Sequence, residues 1–414
     1  MGFNHKATTP ENAPKDYYPK LRLIGDTLFV CSNSGIYQKD LKQGCDWQLY
    51  GFENIPITEF VKEENKLLAI SSRSQSKQDS LLLLSEDYGK TYADYTSFFF
   101  FRYNNYNHFY RINQNPENPN SLLILDLFNG LSKSDDFGEN WVNLHPYSLG
   151  QHWTFTSYHP LDTISIFHSA ENDFFNGIIY NSYDAGNNWS EYRVPGGDNC
   201  VHQIAFHPNN ANILVFGGEG IIGKSIDKGE TWKIIDIIDD GMYFYSILFD
   251  KNNPHIIYAS GSRSTSENNN FIFVYRSMNT GDTWQLAYKE ELEMDYGEMI
   301  DMVQYKNKLI FYTRDCGLFE LDLETIPLSS NLLVEKTSEL TIYPNPVHNT
   351  IHFETDAIIS QVDIVDMMGR LIQRTNIVKQ EKVIDVSCLN AGIYLAVFYF
   401  ADKGKITTKI QITR

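Results

Sequence analysis

The 414-residue sequence has little cysteine and little positive charge. Its five cysteines, Cys31, Cys45, Cys200, Cys316 and Cys388, are scattered and form no CxxC pair. That excludes a zinc cluster and a disulfide-dense scaffold. One bridge, from Cys31 or Cys45 to Cys316, stays open, with buried free thiols as the plainer expectation. No apolar run reaches the roughly 18 residues of a membrane-spanning helix, so no transmembrane segment is expected. The first residues, Met1-Gly-Phe-Asn-His-Lys6, are polar and lack the apolar stretch of a leader peptide. A leader is therefore expected to have been removed or to lie upstream. Gly2 is not followed by the Ser or Thr at position six that myristoylation needs. There are 34 basic against 52 acidic residues, a net charge of -18. From Leu340 onward eight basic and seven acidic residues leave about +1, so the preceding residues carry about -19. A field of that sign repels nucleic acid and anionic membrane. No cofactor motif and no metal-ligand spacing occurs, so neither is expected.

Aromatic residues are abundant at 14%, which favours strands over helices. Among them an eight-residue pattern recurs, Ser-x-Asp-x-Gly-x-x-Trp. Its five copies are Ser85-Glu-Asp87-Tyr-Gly89-Lys-Thr-Tyr92, Ser134-Asp-Asp136-Phe-Gly138-Glu-Asn-Trp141, Ser182-Tyr-Asp184-Ala-Gly186-Asn-Asn-Trp189, Ser225-Ile-Asp227-Lys-Gly229-Glu-Thr-Trp232 and Ser277-Met-Asn279-Thr-Gly281-Asp-Thr-Trp284. The serines are 49, 48, 43 and 52 residues apart. A degenerate copy, Asp40-Leu-Lys-Gln-Gly44-Cys-Asp-Trp47, precedes them by 45 residues. A seventh unit follows, with Leu321 at the serine position, 44 residues after Ser277.

Each unit also carries two apolar runs before the pattern and one short strand further upstream, often ending in Pro-Asn or Asn-Pro. With a strand starting at the tryptophan, that makes four strands in about 46 residues, one propeller blade. The pattern itself reads as a hairpin turn. Ser and Asp accept hydrogen bonds from turn amides, Gly permits positive φ, and Trp covers the apolar side of the hairpin. Nothing in it is a catalytic arrangement. The expected fold is all-β, a seven-bladed β-propeller over residues 1–332 followed by a small β-sandwich over 338–414. The first blade is the expected weak point of the ring.

The repeats resemble the Asp-box (BNR) repeats of sialidases, sortilin-type receptors, several glycanases and a photosystem assembly factor. The resemblance covers about residues 20 to 325 and implies a fold, since those families differ in function. Sialidases carry a Phe-Arg-Ile-Pro-like motif in the first blade, whereas this chain reads Leu21-Arg-Leu-Ile-Gly25 there.

From about Ser338 the character changes. Short β-rich runs alternate with Gly and Asn turns, and the box is absent. The motifs Tyr343-Pro344-Asn345-Pro346, Asp366-Met-Met-Gly369-Arg370 and Leu389-Asn-Ala-Gly392-Ile-Tyr394, with the final alternating strand, closely resemble the C-terminal sorting domain of the type IX secretion system of Bacteroidetes. The resemblance implies secretion or attachment at the outer cell surface, with the type IX machinery as the partner of this domain.

Propeller function resides on loops at one face or where inner strands line the channel. Aligning the units places Arg22, Glu59, Arg111, Trp153, His202, Tyr245 and Asp301 near the inner strands. The connection Thr96–Tyr110 mixes aromatics with Asn, Arg and His and is long for a link between adjacent blades. Phe101, Arg102, Tyr106, His108 and Trp153 are the expected ligand contacts, suited to a glycan or peptide. No catalytic set is recognisable, so a non-enzymatic binding module is the leading expectation. The second reading is a glycoside hydrolase acting on polysaccharide, with Glu59, Glu298 and Asp301 as candidate acids at the channel mouth.

Overall fold

The computed structural model describes residues 20–44, 46–72, 80–96, 109–126, 130–145, 151–172, 176–195, 199–236, 242–263, 271–291, 299–313, 317–325, 341–355, 359–366, 371–377, 382–400 and 405–413. The chain divides into two compact units, Met1–Ser330 and Asn331–Arg414. Among the described residues no helix is long and apolar enough to cross a membrane.

The first unit is a seven-bladed propeller. Its sheets span residues 21–51, 57–94, 109–145, 151–193, 201–236, 242–291 and 299–322, and each is an antiparallel meander in chain order. Six have four strands, and the seventh shows three among the described residues. The first blade is therefore complete, contrary to the expectation that it would be the weak one.

Strands buried on both faces carry continuous apolar runs, such as 122–125 (LLIL) in blade 3 and 271–274 (FIFV) in blade 6. Their side chains meet those of the next blade as well as those of their own. Leu68 and Ile70 of blade 2 pack with Ile112 and Ile124 of blade 3. Phe167 and Ile179 of blade 4 pack with Ile204 and Phe216 of blade 5. Burying each such side chain contributes roughly 1.5–3 kcal/mol. The ring closes the same way: Leu21, Leu28 and Val30 of blade 1 share a core with Ile310, Tyr312 and Leu318 of blade 7. Between blades 6 and 7 a polar set joins in, with Gln304 accepting from Lys251 N at 2.8 Å and donating to Asp250 at 2.9 Å.

The recurring turn has one geometry in all five copies. In blade 3, Ser134 Oγ donates to Asp136 at 2.8 Å and accepts from Gly138 N at 2.8 Å, while Asp136 Oδ1 accepts from Asn140 N at 2.8 Å. The glycine and the residue before it both take positive φ, as at Phe137 (57°) and Gly138 (93°). A Cβ on Gly138 would lie 2.7 Å from Leu68 Cδ2, so the turn of one blade rests on a strand of the previous one. Trp141 closes the turn by donating to Gly138 O at 3.0 Å.

A backbone stitch completes the arrangement. Tyr88, Phe137, Lys228 and Thr280 each donate their N–H to a carbonyl in the turn between the first two strands of the same blade, and Ala185 donates to Ile164 O near the start of the second strand, at 2.8–3.0 Å. The two units without a full box make the same stitch at shifted positions, Leu41 N to Asp26 O and Leu323 N to Asn307 O. Replacing Ser134 by alanine leaves the buried Gly138 N–H without its acceptor and should cost about 1–3 kcal/mol. A urea midpoint unchanged from wild type would contradict this.

The seam between blades 3 and 4 holds two imidazoles. His145 Nδ1 and His168 Nε2 lie 2.8 Å apart, His145 stacks on Trp189 at 5.3 Å, and His168 stacks on Tyr180 at 4.7 Å. Burial holds both imidazoles below their usual range. For His145, Glu191 opposes the shift, and for His168 the neighbouring imidazole adds to it. The folded state thus binds fewer protons than the unfolded chain at mildly acidic pH. Stability present above the unfolded histidine pKa of about 6.5 is lost as pH falls through it. His168→Phe should flatten the pH dependence of the unfolding midpoint between about pH 7 and 5, and an unaltered profile would contradict this.

Cys31 is a buried free thiol rather than one half of a bridge, while Cys45 and Cys316 lie outside the described residues. The Asn331–Arg414 unit is a sandwich. A three-stranded sheet (Thr341–Tyr343, Thr350–Glu354, Val383–Asp385) faces a four-stranded one in the order Leu371–Asn376, Ile359–Val365, Gly392–Phe400, Lys405–Ile412. Ile351, Phe353, Val362, Ile364, Phe398 and Ile410 fill the space between them.

Candidate site in the propeller channel

The innermost strands of blades 2 to 7 share a device that the sequence pattern does not announce. Each carries one extra residue at the same place, a β-bulge: Thr58, Tyr110, Thr154, His202, Tyr245 and Ile300. A bulge re-aims the side chains around it. The residues that follow are Glu59, Arg111, Phe155, Gln203, Ser246 and Asp301.

Three of these reach across to the next blade and accept a backbone N–H of its inner strand. Glu59 Oε2 accepts from Ile112 N at 3.3 Å, Gln203 Oε1 from Ile247 N at 3.1 Å, and Asp301 Oδ2 from Leu21 N at 2.9 Å. Asn113 does the same for Tyr158 N at 3.2 Å. These inner-strand amides have no ladder partner on that side, and a buried amide left unpaired is costly. The Asp301 contact joins the last blade to the first.

Cations accompany the carboxylates. Arg111 stands 3.9 Å from Glu59, and Lys20 stands 3.5 Å from Asp301. Glu59 and Asp301 both act electrostatically on Lys20 and on Arg22, so these five charged groups form one cluster. Burial pushes the Glu59 carboxyl up, opposed by Arg111, Lys20 and Arg22. Burial lowers Lys20 and Arg22. His202 is pushed down to about 3 by burial and by Arg111 and Lys20, so it is neutral. Its ring lies 4.7 Å from Tyr245, which stacks on Tyr243 at 6.0 Å, and its Nε2 is 3.7 Å from Glu219.

The structure thus brings Glu59, Asp301, Arg22 and Arg111 together, and places His202 beside Tyr245. Trp153 lies in the inner strand of blade 4, paired with Ala170 just before the bulge. Phe101, Arg102, Tyr106, His108 and Glu298 lie outside the described residues. Sequence reasoning missed Lys20, Gln203 and Tyr243. Lys20 precedes the first strand, and Gln203 acts through an amide 44 residues away. Among the described residues no group of three or more His, Cys, Asp or Glu is placed to hold a metal ion.

In the second unit, the side chain of Asn345 pairs with the last strand, donating to Lys409 O and accepting from Gln411 N, both at 2.9 Å. Pro344 and Pro346 flank it. Gly392 opens the strand Gly392–Phe400, and Gly369 lies outside the described residues. Residues 341–413 match the family described as the secretion system C-terminal sorting domain. The C-terminal unit is a type IX secretion sorting domain. The chain is accordingly secreted to the cell surface.

No curated protein matches the chain. Among solved structures it is similar to the GH74 xyloglucanase from Xanthomonas campestris at 15% identity and a TM-score of 0.56, covering 84% of this chain and 59% of that one. It is similar to the Niastella koreensis GH74 enzyme at 16% identity and a TM-score of 0.58, covering 96% and 66%. It is also similar to YCF48 bound to D1 peptide at 12% identity and a TM-score of 0.52, covering 78% and 99%. The chain spans less than two thirds of either GH74 chain. At these identities the likeness shows the propeller fold.

Proposed function

We propose that the propeller is an Asp-box binding module that holds a glycan or peptide ligand at the cell surface without cleaving it. The observation that carries this reading is the engagement of the channel carboxylates. Glu59 and Asp301 each accept a backbone N–H of the next blade and each faces a cation. A general acid or base must be free to exchange its proton with substrate, and these two carboxylates are tied into the ring. The ligand face is assigned to the aromatic connections, with Phe101, Arg102, Tyr106, His108 and Trp153 as contacts. Of the similar folds, one is a xyloglucanase and another holds a D1 peptide, so both ligand chemistries occur on this architecture.

The second reading, a polysaccharide hydrolase, draws on Glu59, whose carboxyl is raised by burial as a general acid requires. Glu298 and Asp301 would complete the acidic set. Arrays of neutral glycans and of peptides, probed with the full chain, separate the two. Retention of one class, weakened roughly tenfold or more by Trp153→Ala, supports the binding module. Retention that the Trp153 variant leaves unchanged removes the proposed face.

A further inference from the structure

Three cations and two carboxylates meet in the propeller channel. Lys20, Arg22 and Arg111 stand against Glu59 and Asp301, an excess of one positive charge among the described residues. The carboxylates are already engaged. Glu59 accepts from Ile112 N, and Asp301 accepts from Leu21 N, Met302 N and Ser246 Oγ. The ion pairs are Arg111 with Glu59 and Lys20 with Asp301. Arg22 is left over. Its side chain makes no hydrogen bond and no ion pair among the described residues, and its guanidinium lies over the Phe60 ring at 5.5 Å.

The other titratable neighbours do not restore the balance. Cys31 acts on Arg22, but burial pushes its thiol up, so it stays neutral. His202 is neutral as well. Glu219 lies 3.7 Å from His202 Nε2 and is not among the groups that act on Lys20 or Arg22. A proton taken up by Glu59, whose carboxyl is raised by burial, would enlarge the excess. A desolvated charge without a partner is costly, and a ring face replaces an ion pair only in part. Desolvation is the largest influence on Arg22, yet the residue keeps partial exposure, so a small ion can reach it.

We infer that the channel binds one small monovalent anion, held by the Arg22 guanidinium with Lys20 and Arg111 as further cations around it. A single negative charge cancels the excess, whereas a dianion would exchange a surplus positive charge for a surplus negative one. The guanidinium offers five N–H donors in a planar fork, enough for a halide or a carboxylate group. The cluster includes the Asp301 clasp between the last and first blades, so the anion also steadies ring closure, as does any ligand bound solely by the folded state. The inference does not depend on the aromatic ligand face proposed above.

The test follows the unfolding midpoint of the full chain as sodium chloride, sodium acetate or sodium sulfate is added to dilute HEPES. Chloride or acetate should raise the midpoint saturably. Arg22→Met keeps an apolar stem on Phe60 and balances the cluster, and it should raise the half-saturating concentration roughly tenfold or more. Without added anion its midpoint should match or exceed that of wild type. If Arg22→Met does not fold, Arg22→Lys, which keeps the charge and loses the fork, should show an intermediate affinity. Crystals soaked in sodium bromide should give an anomalous peak against Arg22. Stronger action by acetate than by chloride supports the inference with a carboxylate group as the occupant, and the reverse supports it with a halide. Three results would overturn it: equal titrations of wild type and Arg22→Met, bromide peaks solely on the outer surface, or sulfate acting as strongly as chloride and acetate on wild type but not on Arg22→Met.

Discussion

Replacing Asp301 by alanine should open the propeller ring and cost about 3–5 kcal/mol, the range for breaking a buried, hydrogen-bonded charge pair by removing one partner. Four groups depend on this carboxylate. Leu21 N donates to Oδ2 at 2.9 Å, Met302 N and Ser246 Oγ donate to Oδ1 at 3.0 and 3.4 Å, and the Lys20 ammonium lies 3.5 Å away. The Asp301 side chain is 7% exposed, so water does not replace it readily. The loss falls where the chain is least protected. Blade 7 shows three strands among the described residues, and the closure otherwise relies on the apolar core of Leu21, Leu28 and Val30 against Ile310, Tyr312 and Leu318. Asp301→Asn keeps an acceptor for Leu21 N and should cost less, about 1–2 kcal/mol. Guanidinium midpoints give both values. Limited proteolysis should also cut the alanine variant earlier in the first blade. A midpoint within about 0.5 kcal/mol of wild type would show that the clasp contributes nothing beyond an ordinary surface contact.

The second large effect concerns export. A chain ending before Asn331, with its leader intact, should fold its propeller and remain in the periplasm. The two units are separately compact, and each has its own apolar core. Their charges differ as well: residues 331–414 carry nine basic and nine acidic residues and are neutral, so residues 1–330 carry the whole net charge of -18. Fractionation with a folding-sensitive proteolysis assay reads both outcomes. Secretion at the wild-type level, or a degraded propeller, would contradict the separation of roles.

How much of this was legible in the sequence depends on which groups make the contact. The turn could be read because its hydrogen bonds come from side chains. Ser134, Asp136, Gly138 and Trp141 each contribute a group that another residue type lacks, and the structure uses every one. The stitch from Phe137 N to Asn120 O could not be read, since any residue supplies an N–H and any residue a carbonyl. For the same reason Leu41 and Leu323 make it without a box. Alignment of the units placed Glu59 and Asp301 on the inner strands, but their role as acceptors for a neighbouring blade depended on bulges. A bulge is one residue of register and leaves no compositional mark. The Asp301 to Leu21 clasp spans 280 residues and appears only when the ring closes. In the sorting domain, the Tyr343-Pro-Asn-Pro346 motif was recognisable, yet the pairing of the Asn345 side chain with Lys409 and Gln411 needed the last strand to be in place.

On the proposed reading, the propeller holds its ligand intact. The most direct measurement takes whatever glycan or peptide the full chain retains, incubates the two together for hours, and follows ligand mass and new reducing ends or amines. Recovery of the ligand at its original mass, from wild type and from Glu59→Gln alike, is the predicted result. Steady cleavage by wild type that Glu59→Gln or Asp301→Asn abolishes, with the fold intact, would contradict the account and establish the channel as a hydrolase site.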